Sequence, residues 1–426
     1  MNTVFFALVL IAFLTAAWNQ FGATGDVTPM DALSKAMIDS AGGAVELAIG
    51  LVGVMALFLG LMKIAEEGGL LTILARLIRP LMVRLFPDVP AEHPAMGAMI
   101  LNMSANILGL GNAATPFGIR AMQELNKLNP IKGTATDSMV LFLAINTSSI
   151  TLLPTGVIAL RASAGSVDPA AILPTTLFAT ACSTAIAIIA ALTYRHFFPV
   201  KGGGETEAEN QDADEATPPA EMPDHHQGYS SWVSYGVLLG FLCLIPLTVI
   251  YGAVISPWIL PGLMLSFLLF GLVRGVKIYE AFVEGAKEGF QVALKIIPYL
   301  VAILVAVGMF RASGALDWLV GGLGTVTSPM GMPAEALPMA LLRPLSGSGA
   351  YGVMASIIND PAIGPDSYTG YLVSTLQGST ETTFYVLAVY FGAVQIRRIR
   401  HALAVGLTAD LAGVIAAVVA VTFLFG

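Results

Sequence analysis

The sequence predicts an all-α, polytopic membrane protein with two inverted-topology repeats, broken or re-entrant helices and interfacial amphipathic helices. Three observations lead there: a shortage of charge, an echo between the two halves, and a swap in where basic residues fall. Of the 426 residues, 56% are hydrophobic and 11% charged, whereas a soluble domain carries about 25% charged residues. Mean hydropathy is +0.79. So little charge cannot cover a water-facing surface, and the long apolar runs read as membrane spans.

The first span is expected at 3–17. No basic region precedes it and no small-residue cleavage site follows, so it reads as a retained span rather than a leader. Further spans are expected at 44–62, 136–160 and 170–194, then at 232–252, 257–273, 292–310, 367–391 and 402–425. The segments "KAMIDSAGGAVEL" and "IYEAFVEGAKEGFQVALKIIPYL" have mixed faces ahead of matching spans. They read as helices lying at the two membrane interfaces. A gating surface or a dimer contact is the open alternative, which keeps a homo-oligomer among the expected partners beside membrane lipid.

Between the halves, Gly202–Gly228 holds eight acidic residues and no lysine or arginine. That composition reads as a disordered linker at 201–228, dividing the chain into 1–200 and 229–426. The linker accounts for much of the net charge of −8. Its His225–His226 pair reads as part of a loose polar segment rather than a metal site. Cys182 and Cys243 both lie in apolar runs and read as buried small hydrophobes, with no disulfide or thiolate metal site implied. Nothing resembles a surface for a nucleic acid polymer.

The halves echo each other. "AEHPAMGAMILNMSANILG" from Ala91 parallels "AEALPMALLRPLSGSGAYG" from Ala334, and "DSMVLFLAINTSSITLL" from Asp137 parallels "DSYTGYLVSTLQGSTET" from Asp366. An internal duplication explains the ordered series. One span precedes the first three-span unit and two precede the second, so parity inverts the second copy. The basic residues agree. Arg76, Arg79 and Arg84 follow the first unit's first span, while the matching "GALDWLVGGLGTVTSP" has none. At the next turn the bias swaps: "RASAGSVDPA" has Arg161 alone, against Arg397, Arg398 and Arg400. Since cytoplasmic loops collect lysine and arginine, the N-terminus and linker are expected inside and the C-terminus outside.

The stretch "LNMSANILGLGNAATPFG" at 101–118 lies between two basic regions, both expected inside. It must leave and return on the same side. Gly109, Gly111 and Pro116 favour turns and broken hydrogen bonding, which a membrane tolerates only where protein or a wet cavity surrounds it. Half-helix ends there offer free N–H and C=O groups to a solute or ion. The candidate solute-binding residues are Asn102, Ser104, Asn106 and Asn112 in this stretch and Asn146 and Ser148 on the neighbouring span. Their counterparts in the second half are Ser346, Ser348, Gln377, Ser379 and Thr380. All are neutral donors and acceptors, which suits a small polar solute. Such groups also serve as glue between membrane helices, and for a single serine that plainer role has the larger weight.

Glu381 lies inside an apolar run, where a carboxylate is expensive and usually functional. It is the candidate for a coupling cation (Na⁺ or H⁺) or a proton, with Arg343 its candidate neutraliser and Asp410 a weaker proton-relay candidate on a more peripheral helix. No other cofactor is expected. The sequence contains no His-Glu-x-x-His motif, paired acidic metal site or serine–histidine arrangement, and "PLSGSGAYG" lacks the Gly-Lys-Ser/Thr end of a phosphate loop. The chain is therefore not expected to be an enzyme. A secondary transporter is the leading expectation, and a non-transporting scaffold or regulator of envelope maturation is the alternative.

The pattern "EAFVEGAKEGF…KIIPYLVAILVAVGMFRASGALDWL" and its weaker first copy "AIGLVGVMALFLGLMKIAEEGGLLTILARLIRPL" resemble the nucleoside-recognition, or Gate, domain. "MGAMILNMSANILGLGNAATPFGIRAM" and "LAINTSSITLLPTGVIALR" resemble the spore maturation protein A type. "PLSGSGAYGVM" and "DSYTGYLVSTLQGSTETTFYVLAVYFGAV" resemble the B type, as though both were fused in one chain. The resemblance implies a multi-pass protein of a bacterial inner membrane. Through distant likeness to concentrative nucleoside transporters, it also implies re-entrant hairpins, polar contacts to a nucleoside and a coupling cation; for the transporter expectation itself the solute is a small polar metabolite such as a nucleoside, amino acid or small peptide.

Overall fold

The computed structural model describes residues 2–21, 28–109, 111–198, 229–316, 318, 322 and 327–426, and these are helical throughout apart from turns and short connections. The expected linker at 201–228 lies outside the described residues. After α1 (Asn2–Gln20), the first half runs α2 (Pro29–Glu67), α3 (Leu70–Leu85), α4 (Pro94–Leu108), α5 (Gly111–Lys127), α6 (Asp137–Thr147), α7 (Thr155–Ser163) and α8 (Leu173–Tyr194). Then come α9 (Ser231–Val273) and the second half: α10 (Ile278–Ala312), α11 (Leu337–Leu342), α12 (Gly347–Ile358), α13 (Tyr368–Ser379), α14 (Thr383–Gly392) and α15 (Ala402–Phe425).

Among the described residues, α2, α8 and α15 are long and apolar enough to cross a bilayer unaided. The last shows how such a helix sorts its residues. Ala402, Ala409, Gly413, Ala416, Ala417 and Ala420 are buried, while Leu407, Leu411, Ile415, Val419 and Phe423 are exposed at four-residue spacing. Small residues let neighbouring backbones approach, and the bulky apolar stripe meets lipid.

The halves pack as an inverted pair. Phe282 lies beside Gly60, Leu59 beside Gly285, Ala56 beside Gly289 and Ser40 beside Gly308. Residue numbers rise on α2 as they fall on α10, so the two helices are antiparallel. The α8–α15 pair is antiparallel too, with Phe198 bonded to Arg400 and Ser183 to Ala409. At about 1.5 Å per residue, the 39-residue α2 is ~58 Å long. It and α10 absorb the two segments expected as separate interfacial helices. Nothing between those segments and the spans breaks the helix, and the glycines let the extended pair close on itself.

α9 carries two expected spans in one 43-residue helical segment, about 64 Å if straight. Yet Tyr229 N–H reaches Arg76 O at 3.3 Å, and Arg274 Nε reaches Gly68 O at 2.7 Å. Those acceptors are eight residues apart, roughly 12 Å at a helical rise, one on α3 and one at the turn before it, so α9 turns back on itself. The side chains at 241–257, Cys243 included, lie outside the described residues.

α4–α5 and α11–α12 are hairpins, as the first interrupted stretch predicted. Their open ends face opposite ends of the molecule. Asp88, Leu125 and Asn129 at the base of the first share a cavity with Arg400, whereas Gly331 at the base of the second meets Tyr368 and Thr422. The expected spans 136–160 and 367–391 are each broken, at 148–154 and 380–382. The first resumes after Pro154, which stands at the N-cap of α7. In the second, Thr380 and Thr382 are extended.

Candidate functional site

The hairpin tips and the helix breaks meet at the centre. Gly109 turns the first tip with φ +77°, and a Cβ there would stand 2.7 Å from Leu153 O. Leu152 N–H then donates to Ile107 O at 2.9 Å, and in the other half Phe384 N–H donates to Pro344 O at 3.1 Å. Across the halves, Glu381 N–H donates to Thr147 O at 2.7 Å. Gly378 lies against Thr176 and Pro154, and Thr175 shares a 2.7 Å hydrogen bond with Thr375. These bonds supply partners for backbone groups that no helix ladder satisfies.

Between them is a cavity of about 240 Å³. The first half contributes Asn106, Gly109, Thr151, Leu153 and Pro154, and the second contributes Arg343, Gly347, Tyr351, Gln377 and Glu381. Gln377 Oε1 is buried without a hydrogen-bond partner, and Glu381 is half exposed to this space. The Glu381 carboxylate is thus the acceptor that the lining holds open. Its size falls just below the roughly 300–1,000 Å³ of drug-sized sites, which suits a metabolite.

Of the residues singled out in the sequence, Asn106, Gln377, Glu381 and Arg343 line this cavity. Asn102 and Asn146 lie behind it in a buried chain: Asn102 Nδ2 donates to Tyr390 Oη at 3.2 Å, and Asn146 Oδ1 accepts from Tyr390 Oη at 3.3 Å and from Asn106 Nδ2 at 2.9 Å. Ser104, Ser148 and Ser379 turn back onto carbonyls of their own helices. Ser346 caps α12 by accepting from Gly349 N–H, and Ser348 is exposed beside it. Thr380 is buried against α15, its methyl beside Gly413. The side chain of Asn112 lies outside the described residues.

Arg343, the expected neutraliser of Glu381, pairs with it at a closest approach of 3.8 Å. Its guanidinium also donates to Gln377 O (3.1 Å), Thr380 O and Thr382 Oγ1 (3.0 Å). The two carbonyls are orphan groups at the C-terminal end of α13, where the helix dipole also favours a cation, and Thr382 is the N-cap of α14. Asp410, expected to be peripheral, is 5% exposed. Its Oδ2 accepts from Thr383 Oγ1 at 2.6 Å, while Oδ1 is buried with no partner.

Two ion pairs escaped notice in the sequence. Arg161, fully buried, meets Asp366 at 2.9 Å and Pro365 O at 2.6 Å. Arg400 meets Asp137 at 2.6 Å. Each repeat's broken helix starts at, or two residues after, the aspartate of one pair, and each arginine follows the other repeat's break. The Asp137–Asp366 register already pointed to the acids, but nothing local to Arg161 or Arg400 names a partner 205 or 263 residues away. Tyr390 was missed for the same reason. It stacks on Phe142 with ring centroids 6.0 Å apart and fills the place a side chain at Gly118 would need.

The Gate family model, described as nucleoside recognition, matches residues 48–164 and 293–397. Spore maturation protein B of Bacillus subtilis (strain 168) is 52% identical over 167 residues, covering 39% of this chain and 93% of that protein. Spore maturation protein A of the same organism is 45% identical over 188 residues, covering 44% of this chain and 92% of its own. Inner membrane protein YjiG of Escherichia coli (strain K12) is 31% identical over 100 residues, 23% of this chain and 62% of that protein. No solved structure matches significantly.

Proposed function

The chain belongs to the Gate family of nucleoside-recognition domains, and on that footing we propose that it is a secondary transporter for a small polar metabolite, working by alternating access. The observation that carries the proposal is the central cavity, which each repeat half-builds from a hairpin tip and a helix break. Broken helices opposed in an inverted pair are a recurrent way to expose one site to either side. The lining binds a nucleoside, amino acid or small peptide through Asn106, Gln377 and Glu381. Its one carboxylate favours solutes that donate hydrogen bonds.

One route in has a visible door. Tyr351 lines the central cavity, and its hydroxyl donates to Gly156 O at 3.0 Å. One turn further along α12, Ala355 and Ser356 line a wider cavity of about 580 Å³ with Ser40, Glu46 and Arg311. The basic end of the molecule, holding Arg76–Arg84 and Arg397–Arg400, faces the cytoplasm of a bacterial inner membrane. The wider cavity then opens outside, as does the C-terminus.

Proteoliposomes carrying the purified chain test the proposal with a panel of radiolabelled amino acids, nucleosides and small peptides. At least one class should enter by gradient-dependent flux, and Gln377→Leu should cut that flux at least tenfold. Absence of flux for the whole panel, from protein verified as folded, rejects transport and favours the scaffold role that the maturation phenotype of the relatives' names leaves open.

A further inference from the structure

We infer that Asp410 is a proton-binding site, separate from the solute cavity and mechanically joined to it through the break at 380–382. The inference deepens the transport reading by naming the coupling ion, but its test needs no solute.

The first argument is a charge count. Around the two breaks, Arg343 faces two carboxylates, Glu381 and Asp410. Its guanidinium bonds go to two carbonyls and a threonine hydroxyl, with Glu381 at 3.8 Å. One negative charge is left over in a low-dielectric interior, where an uncompensated charge costs several kcal/mol. Glu381 is half exposed and keeps contact with the cavity, whereas Asp410 is buried. The proton therefore belongs on Asp410.

The second argument is local. Thr383 donates to Oδ2, so Oδ1 is the open oxygen that accepts the proton. A proton needs one oxygen, whereas a metal cation gathers several. Arg343 is the charged group whose field reaches Asp410, and the Thr380 hydroxyl also faces it. The other ionisable groups on helices packed around α15 are Cys182 and Tyr194 on α8, Asp137 on α6, Tyr368 and Tyr371 on α13, and Tyr385 and Tyr390 on α14. None is a second acid at the depth of Asp410, since Asp137 is paired with Arg400 at the basic end.

The third argument is connection. Thr383 is the first residue of α14, so the ionised carboxylate sits at a helix N-terminus that stabilises it. The protonated form loses most of that attraction. Three residues earlier, Thr380 O holds Arg343, and between them Glu381 lines the cavity and bonds to Thr147. Gaining or losing the proton changes the pull on α14, and thereby on the extended break that carries Glu381. Differential contact of this kind is what a coupling free energy requires.

Infrared difference spectra of the reconstituted full chain, titrated with pH at constant sodium, read the site directly. The wild type should show a carboxylic C=O band that appears reversibly as pH falls. Asp410→Asn should lose it, Asp410→Glu should retain a shifted band, and Thr383→Val should raise the frequency by removing the hydrogen bond to Oδ2. The last two variants keep an acid at 410 and decide the matter if Asp410→Asn fails to fold. A band indifferent to Asp410→Asn and Thr383→Val overturns the assignment, as does one that follows sodium at fixed pH. A titrating Asp410 band in protein that moves no solute removes the transport reading and leaves the proton site standing.

Discussion

At the level of single residues, the centre of this protein separates groups that face the cavity from groups that hold it in shape. Asn106 does both: its side chain lines the space while its amide nitrogen donates to Asn146. Behind it, Asn102, Tyr390 and Asn146 form a continuous buried chain whose members depend on each other. Tyr390→Phe therefore leaves two asparagines short of a partner. It should cost about 1–3 kcal/mol, seen as a lower thermal midpoint in detergent, without altering which solute is carried. Glu381→Gln should do the reverse, with little change in midpoint because the side chain is half exposed and only loosely paired. Flux through it should drop or change solute preference toward uncharged species. Tyr351→Ala should widen the passage between the two cavities. Labelling of a single cysteine placed at Thr155 by a membrane-impermeant thiol reagent should then speed up from the side of the wider cavity. An unchanged labelling rate removes Tyr351 from the role of door.

Elements are tied together by bonds that cross between repeats rather than within them. The broken helices begin at Asp137 and two residues after Asp366, and each aspartate is held by an arginine of the opposite half. These reciprocal pairs set the two α6–α7 and α13–α14 rods against each other at both ends of the molecule. They differ in setting. Arg161 is fully buried and makes further bonds to Pro365 O and Ser374 as well as a stack on Tyr371 at 4.6 Å, whereas Asp137 is 41% exposed beside Arg400. A double-mutant cycle on Arg161→Met and Asp366→Leu should give a coupling of about 1–3 kcal/mol. The Arg400–Asp137 pair should give less than about 1 kcal/mol and lose it in high salt. Equal couplings in both cycles would show that burial does not set their strength. Spans and hairpins were legible in the sequence because apolar length and glycine placement are local signals. Where a span unwinds was only half legible: Pro154 announces one break, but Thr380–Thr382 contains no proline, and tertiary partners such as Arg343 and Asp410 decide it.

For the molecule as a whole, inverted symmetry was readable from two independent patterns, parity of spans and the swap of basic residues. The packing of α2 on α10 and α8 on α15 agrees with both. The central cavity was legible as a region, because small polar residues and glycines concentrate where lipid would forbid them. It was not legible as a set of contacts. Serine and threonine hydroxyls can satisfy themselves on the preceding turn, and Ser104, Ser148 and Ser379 do so. The same physics makes a prediction about the entire arrangement. If the repeats are inverted, cysteines at Ser40 and Gly308 are neighbours although the chain separates them by most of its length, and so are cysteines at Ala56 and Gly289. A parallel arrangement would place Ser40 near the opposite end of α10, about 40 Å away from Gly308 at 1.5 Å per residue. With Cys182 and Cys243 replaced, both pairs should cross-link under mild oxidation in the membrane, whereas Ser40 with Gly285 should not. The basic clusters test the same geometry from outside, since single cysteines near Arg84 and Arg398 should label from one and the same side. Cross-linking of Ser40 with Gly285, or labelling of the two clusters from opposite sides, would dissolve the shared cavity, because the two hairpins would then enter from the same face and their tips could not oppose each other.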